Sequence, residues 1–310
     1  METNAKEINA YLLDAPQIFL QKRNKPVSDV SEMVFGNMPN DRGFFTLNEN
    51  EKTEILSKNP EVKAVIKTFL GADEFINKIP RYCLWLKNVS PSVYKNSKSV
   101  IERIESVRKA RLASDRDATK KLAEYPSLFG EIRQPETNYL LIPRVSSERR
   151  KYIPIGFLDK DVIAGDSTMI IPNATLYEFG ILTSIMHMAW VRYVCGRLKS
   201  DYRYSASIVY NNYPWPTPTD KQKTNIENFA QEVLNVREKF SDLSFATLYD
   251  TNTMPPELVK AHQKLDKAVE TAYGRSFDND VQRVAYLFEL YQKMPGELFV
   301  GNKEGKGIRK

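Results

Sequence analysis

The stretch 171–218 changes its periodicity once and then forbids regular structure, which limits the folds open to this chain. Thr175 and Glu178, three residues apart, have the spacing of a capping box, so a helix begins there. Phe179, Leu182, Met186, Ala189, Trp190, Val194 and Leu198 follow at intervals of three and four, which predicts one helix with a broad buried stripe up to about Leu198. From Tyr202 the period becomes two. Tyr202, Tyr204, Ile208 and Tyr210 fall on even positions, as in a half-buried strand ending at Asn211 and Asn212. Pro214, Pro216 and Pro218 have no backbone N–H to give and leave an extended exit. Between helix and strand lies Lys199-Ser200-Asp201, a charged junction anchored on both sides.

The remaining patterns predict an α+β protein, a mixed domain followed by a small all-α helical bundle. Residues 1–45 carry short apolar pieces broken by Pro16, Pro26, Pro39 and Gly43, and read as an extended linker or docking arm. Residues 46–218 form the mixed domain. Within it the spacing predicts a helical hairpin over 49–70 broken at Pro60, a strand over 81–86 and an amphipathic helix over 98–112. The seam of that helix is Val100 or Ile101, then Ile104, Val107 and Leu112. Further strands are expected over 139–142, 152–157 and 162–171, the last around the turn Gly165-Asp166-Ser167. Residues 219–300 hold three amphipathic helices, over 225–240, 255–273 and 278–291, the second ended by Gly274. Residues 301–310 read as a disordered polar tail.

A net charge of +6 with a pI near 9.0 favours an anionic partner, and its distribution is informative. Between Lys95 and Lys121 lie nine basic and four acidic residues, which carry five of the six excess charges. Arg108, Arg111, Lys120 and Lys121 are the candidate phosphate contacts there. The two cysteines, Cys83 and Cys195, sit among apolar residues, which predicts reduced, packed thiols and a cytoplasmic protein. No signal peptide is visible, and the longest apolar stretch is too short to span a bilayer, so no membrane partner is expected.

Catalytic patterns are absent. No GxGxxG or Walker-type loop is present, and His187 and His262 with two cysteines make no metal set. His187, flanked by Met186 and Met188 in an apolar helix, reads as a core histidine. Asp41 with Glu61 and Lys63 imitates an acid-x-Lys nuclease pattern, but such triplets arise by chance in lysine-rich chains. What remains is polar pairs on short junctions. Guanine offers two acceptors in the major groove and its cytosine an amino donor, so a cation beside a carboxylate can read one G·C pair. Lys199 with Asp201 and Arg144 with Asp166 are such pairs, each on a junction between ordered elements. An ordinary surface ion pair, worth at most about 1 kcal/mol, is the competing reading from the residues alone.

Several runs carry a family resemblance. Val145-Ser-Ser-Glu-Arg-Arg-Lys, Ile170-Ile-Pro-Asn-Ala-Thr, Met186-His-Met-Ala-Trp, Cys195-Gly-Arg-Leu-Lys-Ser-Asp-Tyr-Arg-Tyr-Ser and Val209-Tyr-Asn-Asn-Tyr-Pro-Trp-Pro resemble the target-recognition region of the MmeI-like (type IIL) restriction–modification enzymes. Arg81-Tyr-Cys-Leu-Trp-Leu resembles the segment that follows the family's methyltransferase domain, and Met254-Pro-Pro-Glu-Leu its helical C-terminus. The resemblance implies sequence-specific binding of double-stranded DNA, with Arg144, Asp166, Lys199 and Asp201 at the family's base-reading positions. It also implies a nuclease and an adenine methyltransferase domain elsewhere in the same polypeptide. S-adenosylmethionine and Mg are expected in those domains and no cofactor in this segment, which alone should neither methylate nor cleave. Two other readings of the residues stand beside this one: a non-enzymatic docking module, and a sequence-independent nucleic-acid binder that stacks bases on its tyrosines.

Overall fold

The computed structural model describes Tyr11 and residues 18–294. Among these, β1 (Val34–Phe35) and β2 (Thr46–Leu47) lead into α1 (Glu49–Lys58), β3 (Ile66–Leu70), α2 (Ala72–Asn77), β4 (Tyr82–Leu84), α3 (Lys98–Leu112) and α4 (Asp117–Lys121). The middle of the chain holds β5 (Tyr139–Pro143), β6 (Val145–Ser146), β7 (Gly156–Leu158), β8 (Ile163–Ala164) and β9 (Thr168–Pro172). Then come α5 (Leu176–Leu182), α6 (Ile185–Val194), β10 (Gly196–Leu198) and β11 (Asp201–Arg203). The C-terminal part is helical: α7 (Asp220–Glu238), α8 (Phe245–Leu248), α9 (Pro256–Ala272) and α10 (Asp280–Lys293). The fold is thus α+β, as expected.

Three sheets organise the strands, in the orders β2-β4-β3-β8, β1-β9-β5-β7 and β10-β11-β6. All pairings are antiparallel except β3 with β8. One core lies under β2, β3, β4 and α3, around Phe45, Cys83, Leu84 and Val107. A larger one joins β5 and β9 to α5 and α6 and continues without a break into α7, α9 and α10. The C-terminal helices therefore complete the core of the mixed region; Gly180 on α5 is so close to α7 that a Cβ would lie 2.7 Å from Ile226. Gly274 takes φ +80° just after α9, the left-handed turn that a helix-ending glycine supplies.

Several local expectations give way to tertiary context. The helix expected from Thr175 to Leu198 is two helices. Its capping box forms, Thr175 N–H donating to Glu178 at 2.8 Å, but Thr183 ends α5 and Ser184 caps α6, its hydroxyl accepting from His187 N–H. Asp266 reinforces the break by accepting the Ile185 N–H at 2.7 Å. Leu198 falls in β10, half-exposed, outside the buried stripe. The expected strand from Tyr202 keeps only its first residues in β11, after which Ala206–Tyr210 winds into a π-helical turn. The second half of the expected hairpin over 49–70 becomes a 3₁₀ turn, Pro60–Val65, and strand β3, because β-branched residues there pair with β4. Of the 152–157 stretch only Gly156 and Phe157 fall in a strand, β7, and of the α3 candidates Val100 rather than Ile101 is buried, with Leu112 exposed.

From Ile18 the N-terminal arm lies on the chain's own 205–215 segment. Arg23 N–H donates to Ser207 O, Val27 N–H to Asn211 O, and the Asn211 and Asn212 amides to Arg23 O and Gln21 O. The apolar piece beginning at Ala10 lies largely outside the described residues, as does the tail 301–310. Cys83 and Cys195 are free and buried, and burial pushes the Cys195 thiol up to about 12. Asp41 is buried in a turn, accepting from the N–H groups of Gly43 and Phe45, which is a structural role. Among the described residues no group of three metal-ligating side chains is assembled, and no helix is long and apolar enough to cross a membrane.

Both histidines are core residues. His187 Nε2 lies 2.9 Å from Tyr204 Oη and His262 Nε2 3.1 Å from Tyr249 Oη, and burial drives each pKa down to about 3. A histidine held neutral in the fold but protonated in the unfolded chain below about 6.5 supports the fold above that pH and withdraws support as the pH falls. The expected loss is up to about 1.4 kcal/mol per pH unit for each histidine. Urea midpoints followed from pH 7.5 to 5 should therefore fall more steeply for the native chain than for a His187→Asn, His262→Asn variant; parallel curves contradict this.

Candidate nucleic-acid interface

The four expected base-reading residues come from three junctions that the backbone ties together. Arg144 sits between β5 and β6, Asp166 in the turn between β8 and β9, and Lys199 and Asp201 at the tip of the β10–β11 hairpin. Arg144 donates its backbone N–H to Ser167 O at 3.1 Å, and its carbonyl accepts the Tyr204 N–H at 2.7 Å. β6 then pairs with β11, Val145 opposite Arg203 and Ser146 opposite Tyr202. The Glu148 N–H donates to Asp201 Oδ1 at 3.2 Å, fixing that carboxylate by one oxygen. Lys199-Ser200-Asp201 is thus a hairpin tip, since Leu198 pairs with Asp201, and not the helix-to-strand joint expected.

Neither couple forms an ion pair among the described residues. The Arg144 guanidinium donates Nη1 to the Asp166 carbonyl at 2.8 Å rather than to its carboxylate. Its Nε is buried with no acceptor, and burial, helped by the nearby Arg203 charge, lowers its pKa. Lys199 is exposed and holds φ +55°, a left-handed conformation that a lysine adopts at a cost and a glycine or asparagine adopts readily. The competing surface-ion-pair reading therefore has no ion pair behind it; Arg144, Asp166 and Asp201 are half-buried and Lys199 is exposed.

A second contribution comes from close backbone approach. Gly36, next after β1, meets the β8–β9 turn so tightly that a Cβ would lie 2.1 Å from Gly165 O. Asn37 is fully buried beside it, its N–H donating to Ala164 O at 2.7 Å and its side-chain oxygen accepting the Arg133 N–H at 2.7 Å. These bonds bring Arg133 and Phe35 beside Arg144. The exposed Arg149, Arg197 and Arg203 add positive charge on the loop and strands around the hairpin. The sequence patterns do not single out Phe35, Arg133, Arg149, Arg197 or Arg203.

The expected phosphate contacts divide. Arg108, 3.5 Å from Glu105, and Lys120, 3.8 Å from Asp117, are partly exposed, and Lys121 is exposed. Arg111 is 1% exposed and cannot reach a phosphate. Its guanidinium donates to five carbonyls, those of Pro39, Asn40, Leu122, Tyr125 and Leu128, at 2.7–3.0 Å. All five N–H donors are used, so Arg111 is a clamp holding α3 to the loops on either side. Its helix position on the basic stretch conceals this, because burial is set by loops far away in the chain.

Two stability measurements check the framework. Gly36→Ala should destabilise by about 1–3 kcal/mol through the clash with Gly165, whereas Gly196→Ala, where the nearest atom is 3.8 Å away, should change urea unfolding by less than about 0.5 kcal/mol. Arg111→Met should destabilise by about 3 kcal/mol, leaving buried carbonyls without donors, while Arg108→Gln should be near neutral. Equal effects within either comparison contradict the assignments.

Comparison with known proteins relates the chain to a family. Residues 14–217 match the model described as MmeI, target recognition domain, and residues 218–299 the model described as MmeI, C-terminal domain. A curated protein named DNA methyltransferase A, from Bacillus subtilis (strain 168), is 41% identical over 288 residues, covering 93% of this chain and 33% of its own length. A solved structure of the type IIL restriction-modification enzyme MmeI in complex with DNA superposes with a TM-score of 0.91 at 46% identity, covering 94% of this chain and 39% of that one. The chain thus spans between a third and two-fifths of the length of these relatives. On the family matches and these identities, it belongs to the MmeI target-recognition family.

Proposed function

We propose that this chain recognises a specific sequence in double-stranded DNA and supplies target specificity to an S-adenosylmethionine-dependent adenine-N6 methyltransferase and restriction enzyme. The observation that carries the reading is the joining of Arg144, Asp166, Lys199 and Asp201 on three backbone-linked junctions with no ion pair between their charged groups, among further arginines. Each pair reads a G·C base pair: Arg144 or Lys199 donates to guanine O6 and N7, and Asp166 or Asp201 accepts from the cytosine amino group. Asp201 has Oδ2 available for this because the Glu148 N–H occupies only Oδ1. The left-handed turn at Lys199 agrees with a position selected for its side chain, since backbone strain collects at functional sites.

Arg108, Lys120 and Lys121 contact phosphates and contribute affinity without sequence information. The methyltransferase and nuclease chemistry, with S-adenosylmethionine and Mg, is assigned to other domains of the same polypeptide, and the segment by itself is inactive. A sequence-independent binder that stacks bases on tyrosines is less well supported, because Tyr202, Tyr204, Tyr210 and Tyr213 are buried. The docking-module reading is separated from this one by whether any duplex is bound.

Exchanging the pair in the intact enzyme, Lys199→Asp with Asp201→Lys, should change the base pair accepted at one position of the site and leave the others unaltered. Unchanged cleavage and methylation sites contradict the reading. Neutralising Arg108, Lys120 and Lys121 should lower the slope of log binding constant against log salt by about 0.9 for each phosphate left without its cation, with site preference unchanged. An unaltered slope shows that these cations are only solvated.

A further inference from the structure

We infer that Phe35 is a positioning residue for base reading, holding the Arg144 guanidinium in the orientation that discriminates one base pair. The inference rests on the reading of Arg144 as a base-reading residue and names a further specificity determinant at that site. Phe35 belongs to β1, an edge strand, opposite Met169 on β9, and the residue is 40% exposed. The Arg144 guanidinium carbon lies 4.7 Å from the ring centroid, inside the range for a cation held on an aromatic face. Arg133 lies on the same ring at 5.9 Å, but its charge is already paired with Glu131. Arg144 has no carboxylate within ion-pair distance among the described residues, so the ring and the Asp166 carbonyl are its direct contacts.

The geometry explains an otherwise unfavourable feature. Arg144 Nε is buried and unpaired, which an arginine free to rotate toward water would relieve. Contact with the ring keeps the fork in place, one Nη1 bond directed to the turn and the remaining Nη1 and Nη2 donors left for a ligand. Bidentate reading of guanine needs both fork nitrogens in the base plane, so the orientation of the plane sets discrimination more than affinity. The ring is itself fixed to the site: Gly36 locks β1 against the β8–β9 turn that carries Asp166. Phe35, Arg144 and Asp166 thus form one rigid unit assembled from three distant parts of the chain.

The test is the position-by-position sequence preference of the intact protein on a pool of duplexes randomised at the recognition site, together with its affinity for random duplex. Arg144→Ala identifies the base pair concerned. Phe35→Leu, which keeps apolar bulk and removes the aromatic face, should reduce discrimination at that same base pair by roughly three- to ten-fold, with affinity for random duplex unchanged. Phe35→Tyr should restore it, and Phe35→Leu added to Arg144→Ala should cause no further loss there. The proposal is overturned by a Phe35→Leu protein with native preference, by a loss at a different base pair, or by a uniform loss at all positions accompanied by a lowered melting temperature. A native protein without preference at any position overturns the recognition reading as well, so the two failures are distinct.

Discussion

The two backbone hydrogen bonds of Arg144, to Ser167 O and from Tyr204 N–H, hold the site together. Each contributes only about 0.5–1.5 kcal/mol to stability, yet between them they join the β5–β6, β8–β9 and β10–β11 junctions. Because these links run through main-chain atoms, they do not depend on which side chain stands at Arg144, Asp166, Lys199 or Asp201. A surface built this way tolerates replacement of its reading groups without loss of the scaffold. Side chains on such a frame are also aimed well, since rigid strands flank each short turn.

The frame is stabilised in two ways. Below it, the large core runs from β5 and β9 through α5 and α6 into the C-terminal helices, so α7, α9 and α10 support the hairpin indirectly through the helix that precedes it. The arm from Ile18 onward also pins the 205–215 segment, which follows β11, through Asn211 and Asn212. Arg111 performs a related task for the basic helix α3. Five carbonyl acceptors around one buried guanidinium join residues 39–40 and 122–128 to that helix, which orients the partly exposed Arg108 and the short helix bearing Lys120 and Lys121.

Much of this is legible in the sequence where the determinant is local. The capping box at Thr175 and the turn at Gly274 depend on neighbours three or four residues away and form as expected, and the α3 face does so at Val100, Ile104 and Val107 though not at Leu112. The break at Thr183 and Ser184 is hidden because its decisive partner, Asp266, lies 81 residues from Ile185. Apolar spacing alone carries through such a break. Arg111 misleads for the same reason: a basic residue on a basic helix looks solvated until distant loops close over it. The polar pairs at Arg144, Asp166, Lys199 and Asp201 are recognisable as residue types, but their adjacency depends on pairing of β6 with β11, which nothing in either strand announces. Phe35, on a strand of two residues, carries no periodic signal at all.

The central claim is that these junctions meet base edges and that the basic helices meet phosphates. A crystal structure of the protein bound to its preferred duplex tests it directly. The Arg144 guanidinium and the Lys199 ammonium should lie in the major groove, within about 3.2 Å of guanine O6 or N7, with Asp166 or Asp201 at the cytosine amino group. A complex in which those four side chains touch only phosphates, or face away from the duplex, would contradict it.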